Sequence, residues 1–140
     1  METTDVLIAV EGIKRLKARY CRLVDTKQWA DLRQLLTDDA TMEIINPTGE
    51  IRAEGGDKVI GLMSGATAIT VHQVHAPEIE ILGPSSARGV WAVESVGFAD
   101  ASAKAPFMQS YGHYHETYTI VDGEWRIATI RLTRLHVASK

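Results

Sequence analysis

Cysteine is nearly absent from this chain: Cys21 stands alone among 140 residues, so no intrachain disulfide is available and a disulfide-stapled scaffold is excluded. Charge of one sign is equally scarce. The 15 basic and 18 acidic side chains leave a formal charge of -3, and no Lys or Arg run concentrates the basic ones. Nucleic acid is therefore not an expected partner. No uninterrupted apolar run reaches the roughly 20 residues that cross a bilayer. The opening METTDVLIAV has no basic segment ahead of its apolar residues, as a secretory signal would. The expectation is a cytoplasmic protein with no membrane partner. G-x-G-x-x-G and Walker loops are missing, as is a serine in a G-x-S-x-G elbow, so nucleotide binding and a serine triad have no motif to rest on.

What is present suits one soluble domain spanning residues 1 to 140, with apolar residues at 45% and charged ones at 24%. From Val6, the residues Val10, Ile13, Leu16, Tyr20, Leu23 and Val24 recur at three- and four-residue spacing, with Lys14, Arg15, Lys17, Arg19 and Arg22 in the remaining positions. That is an amphipathic helix ending near Asp25. A second helix is expected from Lys27 to Leu36, burying Trp29, Leu32, Leu35 and Leu36 and closing at Thr37-Asp38-Asp39. TMEII reads as a strand, NPTGE as a turn and GGDKVIGLMSG as a short helix. From Ala68 onward, β-branched and aromatic residues mark strands at Ile69 to Val74, Ile79 to Leu82, Val90 to Phe98, Met108 to Val121 and Trp125 to Val137. Helices followed by strands predict an α+β fold, an antiparallel sheet curled over the helices.

Asp122-Gly123 between alternating runs is a strong hairpin signal. An unbroken ladder counted out from Val121 and Glu124 sets Tyr118 opposite Ile127, Tyr114 opposite Arg131 and Tyr111 opposite Arg134. His113 and His115 then share a face with Arg134, and Glu116 lies diagonal to Arg131 as an ion pair. A bulge would shift this register by one residue.

Three polar clusters carry possible chemistry, each with an ordinary structural reading beside the functional one. Asp25, with Tyr20 one turn before it, either caps the next helix through Asp25-Thr26-Lys27-Gln28 or serves a site. Tyr20 lies on the apolar stripe, where a buried tyrosine with one hydrogen bond is common. His72 and His75 fall in TVHQVHAPEIEI, and His113 and His115 in GHYHETY. Histidines two apart on a strand need a third ligand to hold a metal, and a neighbouring Arg134 would repel a cation, so no metal is expected. Cys21 is read as core.

KARYCRLVDTKQW, TVHQVHAPEIEI, GHYHETY and DGEWRIATIRLTRL, in that order over nearly the whole chain, resemble the SnoaL-like branch of the nuclear-transport-factor-2-like superfamily. The resemblance implies a cone-shaped α+β barrel, with N-terminal helices closing one end of a strongly curved antiparallel sheet around a deep apolar pocket. It also implies a homodimer or higher homo-oligomer. Scytalone dehydratase, bile-acid dehydratases, ketosteroid isomerase, polyketide cyclases and limonene epoxide hydrolase share this superfamily with members that only bind or scaffold. Site spacing in the dehydratases falls here on Asp25 and His72, with Tyr20 and Arg134 completing the set. Ser95 stands where many of those enzymes have an acid, and a serine cannot serve as a charged base near neutral pH.

The resulting expectation is a cofactor-independent lyase or isomerase acting on a hydrophobic, ring-bearing small molecule such as a steroid or polyketide. His72, Asp25 and Tyr20 would be catalytic, with Arg134, Ser95, His113, His115 and Trp91 around the substrate. The alternatives are a non-catalytic binding or scaffolding domain and, further off, an epoxide hydrolase, which needs two pocket carboxylates.

Overall fold

A computed structural model describes residues 1–139. In chain order these form α1 (Thr3–Asp25), α2 (Trp29–Arg33), β1 (Leu36–Asn46), β2 (Gly49–Glu54), α3 (Gly56–Ser64), β3 (Ile69–Gly83), β4 (Ser86–Phe98), β5 (Met108–Val121) and β6 (Glu124–Ser139). The six strands make one sheet in the order β2-β1-β6-β5-β4-β3. Every neighbouring pair is antiparallel except β1 with β6, which is parallel. The sheet curls around the helices as a cone-shaped α+β barrel. Ile13, Leu16, Tyr20, Leu23 and Val24 of α1 share one buried cluster with Met42, Trp91, Val93, Tyr114, Ile127, Ile130 and Leu132 of the sheet. Each such side chain contributes about 1.5–3 kcal/mol on leaving water.

Several boundaries depart from the sequence reading for local reasons. Helix α2 stops at Arg33, short of the expected Leu36: the Leu35 carbonyl accepts from the Ile127 N–H at 2.8 Å, and β1 begins at Leu36. Thr37-Asp38-Asp39 is thus the irregular beginning of a strand, with the register shifting between Leu36 and Thr41. The Pro47-Thr48 turn links β1 to β2, a strand hidden in the sequence because nearly all its residues are exposed and no apolar alternation marks it. Ile69 to Leu82 is one strand, kinked by a bulge between His75 and Glu78 where Ala76 takes φ 33°. Pro77 is tolerated there because β3 is an edge strand and the bulge interrupts the ladder.

The β5–β6 hairpin turns as expected on Asp122 (φ 52°) and Gly123 (φ 80°), pairing Val121 with Glu124 and Tyr118 with Ile127. Two bulges then correct the unbroken count. The first sets Tyr114 opposite Leu132, not Arg131; the second sets Tyr111 opposite His136, not Arg134. The first bulge turns Leu132 and Arg134 of β6 to the interior with Tyr114 and Glu116, and sets Thr133 and Arg131 on the outer face with His113 and His115. Gly112, paired with Arg134, permits the close approach: a Cβ there would meet the Thr133 carbonyl oxygen at 2.0 Å.

Candidate active site

Between α1, α3 and the sheet lies a cavity of about 200 Å³. Val24, Met42, Ile44, Leu62, Met63 and Leu132 form much of its wall, and Tyr20, Thr70, His72, Ser95, Tyr114 and Arg134 supply polar groups. Asp25, the last residue of α1, commits both carboxylate oxygens to the edge strand. Oδ1 accepts from Thr70 Oγ1 at 3.0 Å and contacts His72 Nδ1 at 2.6 Å; Oδ2 accepts from the His72 backbone N–H at 2.8 Å. A carboxylate only accepts, so the Nδ1 position carries the proton and the neutral ring keeps its lone pair on Nε2. The side chains of His72 and Asp25 are 16% and 21% exposed, enough for a small molecule to reach the ring.

Local geometry explains the placement. Alternation along β3 turns Thr70 and His72 inward and His75 outward, so the two histidines of TVHQVH part company. Asp25 caps nothing: Gln28 precedes α2 and no side-chain cap bond forms. Lys27, at φ 57°, sends its ammonium to the carbonyls of Ala66 (3.3 Å) and Ala68 (2.7 Å), tying the start of β3 to the end of α1. Lys27 and Trp29 also line the cavity.

Tyr20 is buried, and its hydroxyl donates only to the Met63 thioether at 3.5 Å, a weak acceptor. Burial, reinforced by the Glu116 charge, pushes its phenol well above the usual value. Burial does the same to Tyr114, whose ring meets Tyr20 edge to face at 6.2 Å. Ser95 lines the cavity opposite His72 across the β3–β4 ladder, hydrogen-bonded to Ser110 Oγ at 2.6 Å. Arg134 donates from Nη1 to Asn46 Oδ1 at 3.0 Å, and burial pushes its guanidinium below the ordinary arginine value.

The remaining expected residues lie elsewhere. His113 and His115 do not line the cavity: they keep the face opposite Tyr114 and Glu116, and it is Arg134 that the β6 bulge between Ile127 and Thr129 moves away from them. Trp91 is also absent from its wall: the indole N–H donates to Tyr118 Oη at 2.9 Å, and that hydroxyl donates to Glu116 Oε1 at 2.8 Å. Glu116 does not pair with Arg131. Its Oε2 lies 2.5 Å from Lys17 Nζ, both side chains are fully buried, and the ammonium sits over the rings of Tyr20 (3.8 Å) and Tyr114 (3.5 Å). Lys17 had a readable signal, since it follows Ile13 by four residues and precedes Tyr20 by three on the apolar stripe. Cys21 is buried, which pushes its thiol up to about 11 and leaves it an unreactive core group. Among the described residues, no three His, Cys, Asp or Glu side chains converge as a metal site would require.

A cone-shaped α+β barrel whose cavity is lined by a histidine held by an aspartate is the class of protein that fold and site together define. The chain belongs to the SnoaL-like domain family, whose sequence profile matches residues 5–131. It is 26% identical over 134 residues to the protein named probable cyclase FGR4 of Gibberella zeae, with 89% of each chain covered. A provisionally named scytalone dehydratase from Novosphingobium aromaticivorans superposes with a TM-score of 0.85 at 21% identity, over 99% of this chain and 92% of that one. The hexachlorocyclohexane dehydrochlorinase LinA-type3 of Novosphingobium barchaimii superposes with a TM-score of 0.82 at 17% identity, over 99% and 94%. Both structures share the fold.

Proposed function

We propose that the protein is a cofactor-independent lyase that eliminates water from a hydrophobic, ring-bearing small molecule, with His72 as its proton-transfer residue. The observation that carries this reading is the 2.6 Å contact between Asp25 and Nδ1 of His72, whose side chain lines a largely apolar cavity. Held in that tautomer, Nε2 takes a proton from the carbon beside a substrate carbonyl, and the C–H electron pair moves to give an enolate. Tyr20, kept protonated by burial, donates to the enolate oxygen in exchange for its weak thioether contact. The enolate collapses to a conjugated double bond as the neighbouring C–O bond breaks. The departing hydroxide takes the proton from the imidazolium, so water leaves and His72 returns to neutral. Return of the proton to a different carbon would instead be isomerisation.

The names of the relatives support the lyase reading, since dehydratase and dehydrochlorinase both denote eliminations. Epoxide hydrolysis loses ground because it needs two carboxylates at the cavity, whereas Asp25 lies behind His72, held by it and Thr70, and Glu116 is sealed behind the tyrosines by Lys17. The family resemblance adds a homodimer or higher homo-oligomer to the proposal, which sedimentation would test. The mechanism is tested by turnover of ring-bearing β-hydroxy ketones. His72→Ala and Asp25→Asn are each expected to lose about 10²–10⁴-fold in kcat with an unchanged circular dichroism spectrum. Full activity in either variant would overturn it. Tight binding by the wild type with no turnover would point to the non-catalytic alternative.

A further inference from the structure

Taking the cavity as a substrate site, as above, we infer that its ligand is an anion: a compact, single-ring carboxylate held by Arg134 while His72 works on the other side. A guanidinium has five N–H donors. In Arg134, Nη1 is used by the neutral amide of Asn46, and Nε is buried with no partner. Among the described residues, no carboxylate lies within ion-pair distance of it. Arg33, by contrast, sits between Asp38 and Asp57, and Arg88 on Glu80, while Arg126, whose Nε is likewise buried without a partner, does not line the cavity.

The carboxylates nearest the cavity are already committed. Asp25 is held by Thr70 and His72, and Glu116 by Lys17 and Tyr118. Arg134 therefore brings an uncompensated positive charge to an apolar wall, an arrangement that favours an anionic partner strongly because little water competes for it. Asn46 orients the fork without cancelling its charge.

Size narrows the class further. The cavity of about 200 Å³ is smaller than the roughly 300 Å³ at which pockets for drug-sized ligands begin, so one ring with short substituents fits and the fused rings of a steroid do not. Arg134 on β6 and His72 on β3 lie three strands apart in a sheet that curls around the cavity. One molecule can thus present its carboxylate to the first and its reacting carbon to the second.

Isothermal titration calorimetry of the full chain tests this with benzoate and cyclohexanecarboxylate against their neutral amides, benzamide and cyclohexanecarboxamide. The acids are expected to bind about tenfold or more tightly than the amides in the wild type and in His72→Ala. Arg134→Gln should abolish that preference, and Arg134→Lys should retain part of it, with circular dichroism confirming both folds. Equal affinity of acid and amide in the wild type, no measurable binding of either acid, or a preference that survives Arg134→Gln would overturn the proposal. So would a preference lost in His72→Ala, which would assign the anion to the imidazolium. The two readings fail separately. Acid preference with no turnover of any ring-bearing β-hydroxy ketone that also carries a carboxylate would sink elimination and leave the anion site, whereas turnover of neutral ring ketones without acid preference would do the reverse.

Discussion

Helix α1 carries one half of each of two short side-chain contacts to the sheet, nearly equal in length and each involving a carboxylate, but opposite in enclosure. Lys17 meets Glu116 of β5 at 2.5 Å with both side chains fully buried, whereas Asp25, roughly two turns further on, meets His72 of β3 at 2.6 Å with both partly open. In the first pair each charged group is enclosed: the ammonium by two phenol rings, the carboxylate by Lys17 and Tyr118. No reactant can enter. In the second, the carboxylate is saturated but the imidazole keeps one nitrogen uncommitted toward a cavity. A base becomes available for chemistry when its partner is satisfied and it is not.

Substitutions that separate activity from stability would break or sharpen this contrast. The largest effect is expected at the open pair. His72→Ala should cost the proposed elimination about 10²–10⁴ in kcat while unfolding in urea shifts by only about 1 kcal/mol. A large stability loss there would make the pair structural after all. At the sealed pair the pattern should invert. Lys17→Met leaves Glu116 as an uncompensated buried charge and should destabilise the fold by about 3–5 kcal/mol in urea titrations. The double variant Lys17→Met/Glu116→Gln should recover much of that loss, and failure to recover would mean that the pair's charges were never the issue.

A smaller loss follows from Tyr118→Phe, which strips partners from the Trp91 indole and from Glu116 Oε1 and should cost about 2 kcal/mol by the same assay. The smallest is a pH effect. Tyr20 and Tyr114 are held well above the usual tyrosine value of 10.0 by burial, so the stability tied to their protonated state is fully present below pH 10.0. It is lost as pH rises from there toward the folded-state values. Each should contribute a loss that grows as pH rises above 10.0. Thermal melts of wild type and Tyr114→Phe between pH 8 and 11 would show the variant falling less steeply; parallel curves would remove Tyr114 from the account.

The elements were readable where one chain segment carries its own signal. The apolar stripe of α1 and the Asp122-Gly123 turn appear in the structure at the expected places, and β5 runs over Met108–Val121 as the β-branched and aromatic content indicated. Strand β2 was not readable, because it is exposed on both faces and gains its identity from pairing with β1. The parallel β1–β6 contact was hidden for a similar reason: nothing within either strand states the direction of its neighbour. Lys17 was misassigned to the polar face despite its stripe position, since residue type outweighed spacing. Its burial depends on a carboxylate 99 residues away.

The stripe of α1, the strand-rich second half, the turn on Asp122-Gly123 and the presence of Tyr20, Asp25, His72 and Arg134 were decided by sequence alone, because periodicity and turn chemistry act over a few residues. Which of those groups meet was decided only by tertiary structure. A bulge moves every later side chain of its strand to the opposite face without any mark in composition, and the one between Ile127 and Thr129 of β6 turned Arg134 inward, onto the face of Glu116 and away from His113 and His115. The pairing of Asp25 with His72, across 47 residues, exists because the sheet curls until its edge strand meets the end of the first helix.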